Sequence, residues 1–202
     1  MIDIYDINFD ILSVLSSASE MGWRRIKEQT ISRILYFSSV LYSFRHERNK
    51  NPFHMYSFSI DYTGPYFPLI SYSLLFLQSN EYLNKNPEGY ITLGKNIPPK
   101  SMKDDITKKA EWIKTIIYIL GLYGEGKIYE FIIRDPEYRR NLETNSIKRL
   151  NTTATSSTIK FLNEFKKVFE HTLGKDSKKI DDQEYLELYF EFIFSKIVKG
   201  KV

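Results

Sequence analysis

The sequence predicts a mainly α-helical protein, with a winged helix-turn-helix and its short β-hairpin wing over residues 1–97 and a helical C-terminal region over residues 98–202. Three observations lead there. In the first half, apolar residues recur at helical spacing in three segments, and two short extended runs follow about the turn Asn86-Pro87-Glu88-Gly89. The pair Pro98-Pro99 then removes two amide donors and holds the preceding residues extended, so neither a helix nor a central strand runs through it. Beyond it, the apolar pattern is helical throughout.

Asp6–Ala18 reads as the first helix, with Ile7, Ile11, Val14 and Leu15 on one face. Thr30–Arg45 reads as the second, with Ile34, Phe37, Leu41 and Phe44 three or four residues apart; Glu20–Gln29 between them carries no clear pattern. Asn49-Lys50-Asn51-Pro52 is a loop, and Met55–Asp61 alternates enough for a short strand. After Gly64-Pro65, Tyr66–Gln78 reads as a third helix opened by a proline. Glu81–Asn84 and Tyr90–Leu93 make the hairpin. In the second half, Ser101-x-x-Asp104 is a capping-box-like start for a helix to about Leu122 that carries Ile106, Ala110, Ile113, Ile117 and Leu120 inward. Lys127–Ile133 is helical or extended, and Pro136 opens a short helix over Glu137–Glu143. Thr158–Thr172 is amphipathic, with Phe161, Leu162, Phe165, Val168 and Phe169 inward, and Gly174 ends it. The last helix, Asp182–Lys199, begins with acids and ends with lysines, as the helix dipole favours.

Composition narrows the function by exclusion. A chain that is 42% hydrophobic and 15% aromatic is globular rather than disordered. With no cysteine there is neither a disulfide framework, a thiolate zinc site nor a cysteine nucleophile, which fits a cytoplasmic protein. The longest nearly apolar run, Ile116–Tyr123, is too short to cross a membrane. Gly121, Gly124 and Gly126 lack the Lys-Ser/Thr of a phosphate loop, and His46, His54 and His171 form no metal-ligand spacing. Acid pairs such as Asp104/Asp105 and Asp181/Asp182 sit at helix starts, where capping explains them. The expectation is a non-catalytic chain with no cofactor, metal or small-molecule substrate.

Charge and rings point to two kinds of surface. Residues 1–97 hold nine cations and nine anions, whereas Arg134–Lys179 holds eleven cations and six anions. A groove-reading helix needs Arg, Lys, Asn or Gln facing base edges, and the third helix has no cation. Contact with nucleic acid is therefore expected to be weak and sequence-independent, through Arg134, Arg139, Arg140, Lys148, Arg149, Lys166 and Lys167. Both the third helix and Tyr185–Val198 carry rings on more than one side, which predicts a protein partner at Tyr62, Tyr66, Phe67, Tyr185, Tyr189 and Phe192.

Four stretches, Ile31-Ser-Arg-Ile-Leu-Tyr-Phe37, Tyr62-Thr-Gly-Pro-Tyr66, Leu74-Leu-Phe-Leu77 and Tyr90-Ile-Thr-Leu93, together with Ile133-Arg-Asp-Pro-Glu-Tyr-Arg139, resemble the winged-helix middle component of bacterial three-component ABC-ATPase systems. That group contains the Lamassu-type anti-phage defence systems. The resemblance covers about residues 30–140. It implies a non-catalytic adaptor bridging an SMC- or Rad50-like ATPase and an effector, often a nuclease. Gly-Pro-Tyr junctions also occur in other winged helices, so a DNA-binding regulator or antitoxin is the alternative, and an enzyme of unrecognised type is a further one.

Overall fold

The structure is a computed structural model and describes residues 4–46, 50–96, 104–144, 149–174 and 180–200. It is mainly helical with small antiparallel sheets. The architecture is decided by α2 (Glu28–Arg45), which buries every residue from Thr30 to Phe44 except Arg33. The expected single face of Ile34, Phe37, Leu41 and Phe44 understates this helix. It is wrapped by α1 (Ile4–Glu20), α4 (Asp104–Gly121), α5 (Ile128–Ile132), α7 (Ser157–Leu173) and α8 (Asp182–Val198), so apolar or small residues are needed all round. Ser38 and Ser39 are fully buried where neighbours come close: the Trp112 indole N–H donates to the Ser38 carbonyl at 2.8 Å, and the Asn51 amide to that of Ser39 at 2.8 Å. Ile31, Ile34, Leu35, Val40 and Leu41 have no exposed surface. Each contributes roughly 1.5–3 kcal/mol through burial.

The chain between α1 and α2, unassigned from the sequence, supplies β1 (Ile26–Lys27). It pairs antiparallel with β5 (Tyr90–Leu93), which pairs with β4 (Leu83–Lys85), giving the order β1-β5-β4 with Ile26 opposite Ile91 and Leu83 opposite Leu93. The first hairpin strand starts at Leu83 rather than Glu81, because Glu81 stands at φ 58, outside strand geometry, in the turn that leaves the third helix. A second hairpin joins β2 (Ser59–Asp61) to β3 (Gly64–Tyr66), with Ile60 opposite Pro65. This displaces the expected helix start from Tyr66 to Pro68: α3 is Pro68–Ser79, and Pro68, not Pro65, is its opening proline. Pro65 is tolerated because a two-stranded ribbon consists only of edges.

The core does not divide at residues 97 and 98, which lie outside the described residues, as do Ser101 and the rest of 97–103. Trp112, Ile113 and Ile116 of α4 belong to the same buried cluster as Ile7, Ile11 and Val14 of α1. In the second half, the 3-10 turn Glu125–Lys127 leads into α5, and α6 (Pro136–Glu143) begins at its proline as expected. On α7 the inward set is corrected: Ile159 and Leu162 are buried, Phe165 and Phe169 pack against the core, but Phe161 is 38% and Val168 66% exposed. Val168 points into solvent, whereas Phe161 touches α8 only at the edge of the interface, its ring 6.1 Å from that of Tyr189.

An ion pair is sealed between α1 and α4. Asp10 and Lys109 form an ion pair at 2.6 Å with side chains 3% and 4% exposed, and the Tyr56 hydroxyl donates to the same carboxylate at 2.7 Å. These residue types could do acid-base chemistry, but here they have almost no access to a substrate.

Candidate functional site

Two surfaces emerge from this packing. The first is the outward side of α3. Ile70, Ser73, Leu74 and Leu77 turn inward, toward α1 and β4, while Tyr72, Leu75 and Phe76 remain 61%, 62% and 45% exposed. An apolar side this large on a helix with no cation is an unusual surface for water. Beside it, a groove of about 250 Å³ opens between α1 and α3, lined by Tyr5, Phe9, Phe76 and Tyr82. Asn8 also lines this groove, and its buried Oδ1 has no donor among the described residues.

Of the rings expected to meet a partner, Tyr62 is 98% exposed at the β2–β3 turn, Tyr66 is 41% exposed and Phe192 37%. The other three belong to the chain's own core. Phe67 is 6% exposed and packs on Tyr56 and Phe58 with ring centroids 5.5 and 6.0 Å apart. Tyr185 and Tyr189 are 1% and 2% exposed, in ring contact with Phe169 and Phe165 of α7. Sequence reasoning missed Tyr72, Leu75 and Phe76 as the exposed part of α3, because a helix apolar on nearly every side does not reveal which side is covered.

The second surface is a basic cleft of about 550 Å³ where α6, α7 and α8 meet. Arg134, Arg139 and Arg140 come to it from around α6, and Lys196 from α8; Glu143 is the one acid of the lining, and Phe161 and Ile193 form an apolar wall. Two buried carboxylates hold this region in place. Asp135 caps α6, accepting from the Tyr138 amide at 2.9 Å, the Tyr36 hydroxyl at 2.6 Å and the Thr158 hydroxyl at 2.6 Å, and so ties α6 to α2 and α7. Burial pushes its pKa up, and these donors oppose the rise. Glu137 accepts from the Asn151 and Ser157 amides at 3.2 and 2.9 Å, from the Asn141 side chain at 3.0 Å and from Arg140 at 3.0 Å. Burial works against its charge, but the amide donors carry its pKa below the usual carboxylate value.

The expected phosphate-contacting residues do not all gather there. Arg134, Arg139 and Arg140 do. Lys166 instead pairs with Asp182 at 2.7 Å; burial opposes its charge, yet the hydrogen bond and charge of Asp182 raise its pKa above the usual lysine value. Arg149 and Lys167 are exposed but are not in the cleft lining, and Lys148 lies outside the described residues. Lys196 and Phe161 were not foreseen: one stands in an acidic stretch, and the other was assigned to the core.

Among the described residues no cluster of three or more His, Cys, Asp or Glu side chains is placed to hold a metal ion, and no helix is long and apolar enough to cross a membrane. Compared with protein-family models, with curated proteins and with solved structures, the chain matches none of them.

Proposed function

We propose that this chain is a non-catalytic adaptor in a cytoplasmic anti-phage complex of the Lamassu type, bridging an SMC- or Rad50-like ATPase and an effector subunit such as a nuclease. Residues 4–96 are read as a winged helix. The order α1, β1, α2, α3, β4, β5, with sheet order β1-β5-β4 and a wing at Asn86–Gly89, supports that reading. The departure from a compact helix-turn-helix is the segment 46–67 with its extra hairpin between α2 and α3.

One observation carries the adaptor over a DNA-reading regulator. The helix in the recognition position presents Tyr72, Leu75 and Phe76 to solvent and has no cation, so it lacks the electrostatic term of DNA binding, and its one amide side chain, Gln78, stands in the last turn rather than at the N-terminal end that meets base edges. Aromatic and aliphatic groups of this kind suit a protein interface core. The unmet Asn8 acceptor in the adjoining groove would gain a partner's donor.

The test is co-expression with the genes that flank this one in its native genome, followed by affinity purification and identification of what is retained. The wild-type chain should carry an SMC- or Rad50-like ATPase with it. Leu75→Asp, at a position 62% exposed, should lose the complex while the isolated chain melts at an unchanged temperature. Retention of the complex by Leu75→Asp and Phe76→Asp would count against docking through α3. A sequence-specific DNA footprint abolished by mutations in α3 or the wing would replace the adaptor by the regulator.

A further inference from the structure

We propose that the cleft between α6, α7 and α8 is a site for single-stranded nucleic acid, with Arg134, Arg139, Arg140 and Lys196 on the phosphates and a base seated on Phe161. This goes beyond the adaptor reading and does not depend on it.

The first support is the charge of the cleft and how little of it is spent. Four cations line it against Glu143. Arg139 reaches Glu143 only at 3.5 Å, with both side chains about half exposed or more, a pairing that water screens and a phosphate can displace. Lys196 has no ion pair among the described residues and lies 5.1 Å over the Phe192 ring. Arg140 is aimed by buried Glu137, whose oxygens are already occupied by amide donors. Arg134 gives Nη1 to the Glu130 carbonyl at 3.1 Å, while its buried Nε has no acceptor among the described residues. A desolvated donor of that kind gains from an anion bound at its guanidinium.

The second support is the wall. Phe161 keeps 38% of its surface exposed beside Ile193 in a cleft otherwise rich in cations. Base stacking on an exposed ring flanked by arginines is how proteins hold single strands without reading sequence. A concavity of about 550 Å³ has the size of a small-ligand pocket. It admits one splayed nucleotide, whereas a duplex keeps its bases stacked inside and leaves Phe161 unused. An acidic peptide would use the cations but not the ring.

The experiment is fluorescence anisotropy of the full chain with a short labelled oligothymidylate over a series of salt concentrations. Wild type should bind in a salt-sensitive way. Arg139→Gln combined with Lys196→Gln should weaken binding at least about tenfold and reduce the slope of log K against log salt by about 1.4, from two lost phosphate contacts. Phe161→Ala should weaken it about tenfold with the salt slope unchanged, which separates stacking from charge. Lys85→Gln, on the hairpin, should change neither. Arg139, Lys196 and Lys85 are at least a third exposed, so their variants should melt as the wild type does, whereas Phe161→Ala gives up a ring contact with Tyr189 and should melt somewhat lower, so binding is read well below that transition. Absence of binding, equal binding of a duplex of the same length, or an unchanged affinity in Phe161→Ala would overturn the proposal. Competition by polyglutamate as effective as that by unlabelled oligothymidylate would do so too, assigning the cleft to an acidic protein surface. None of these readings involves the ATPase complex, so this proposal and the adaptor reading fail separately.

Discussion

Lys109→Met keeps an unbranched side chain in the core and removes its charge from beside Asp10. Taking one member from a buried ion pair costs about 3–5 kcal/mol, because the other is left uncompensated. Here the cost depends on pH. Burial pushes the Asp10 carboxyl up to about 6 from 3.8, with the charge and hydrogen bond of Lys109 the main forces holding it down, helped by the Tyr56 hydroxyl and opposed by the charge of Asp6. A folded-state pKa above the unfolded one means that the folded chain takes up the proton first, so this group's contribution to stability is full below about 4 and falls as pH rises through about 6. The gap corresponds to about 3 kcal/mol. Without Lys109 the folded pKa rises further and the decline extends to higher pH. The deficit of Lys109→Met should therefore be small or reversed near pH 4, where the wild type holds a buried ammonium beside a neutral acid, and should reach at least about 3 kcal/mol at pH 8. Urea denaturation followed by circular dichroism at both pH values measures it. Asp10→Asn with Lys109→Met keeps an acceptor for Tyr56 and should recover most of the loss at pH 8. An equal cost at the two pH values, or a double variant no more stable than the single one, would refute the reasoning.

Two further outcomes follow from single contacts. In Gly94→Ala the new Cβ would overlap the backbone carbonyl of Glu81, which the hairpin closure holds in place; this should cost at least about 2 kcal/mol in urea denaturation, and near-wild-type stability would show that the closure can open freely. Tyr36→Phe removes the 2.6 Å hydrogen bond to buried Asp135 and should cost about 1–3 kcal/mol in urea denaturation at neutral pH, and more in the Thr158→Ala background, where the carboxylate has already lost its other hydroxyl donor; a smaller cost in that background would show that the two donors do not share the work of satisfying Asp135.

Local pattern made much of this chain legible. The helices around Ile7–Val14, Ile34–Leu41 and Ile113–Leu120 follow from apolar spacing alone, because a 3.6-residue period leaves little choice of conformation. The wing is legible from Asn86 to Gly89, where the Asn86 side chain accepts from the Tyr90 amide at 2.8 Å and Gly89 takes φ +81. The start of α6 at Pro136 is equally local, since the proline and the preceding Asp135 cap are adjacent in sequence.

Tertiary structure decided what covers each face. Spacing identified the ring-rich sides of α3 and α8 but could not distinguish Phe67, Tyr185 and Tyr189, buried in the chain's own core, from Tyr72, Leu75 and Phe76, left in solvent. Burial depends on elements far away in sequence, above all on α4 returning to α1 and on α7 and α8 closing over α2. The two-residue strand β1 exists because β5 offers it hydrogen bonds, a reason absent from Ile26-Lys27 itself. Charge behaves in the same way. Asp10 found Lys109, Lys166 found Asp182, and Arg134, Arg139, Arg140 and Lys196 gathered around Phe161 only through folding. Composition fixes how many charges there are; their energies depend on distance and desolvation, which only the packed chain sets.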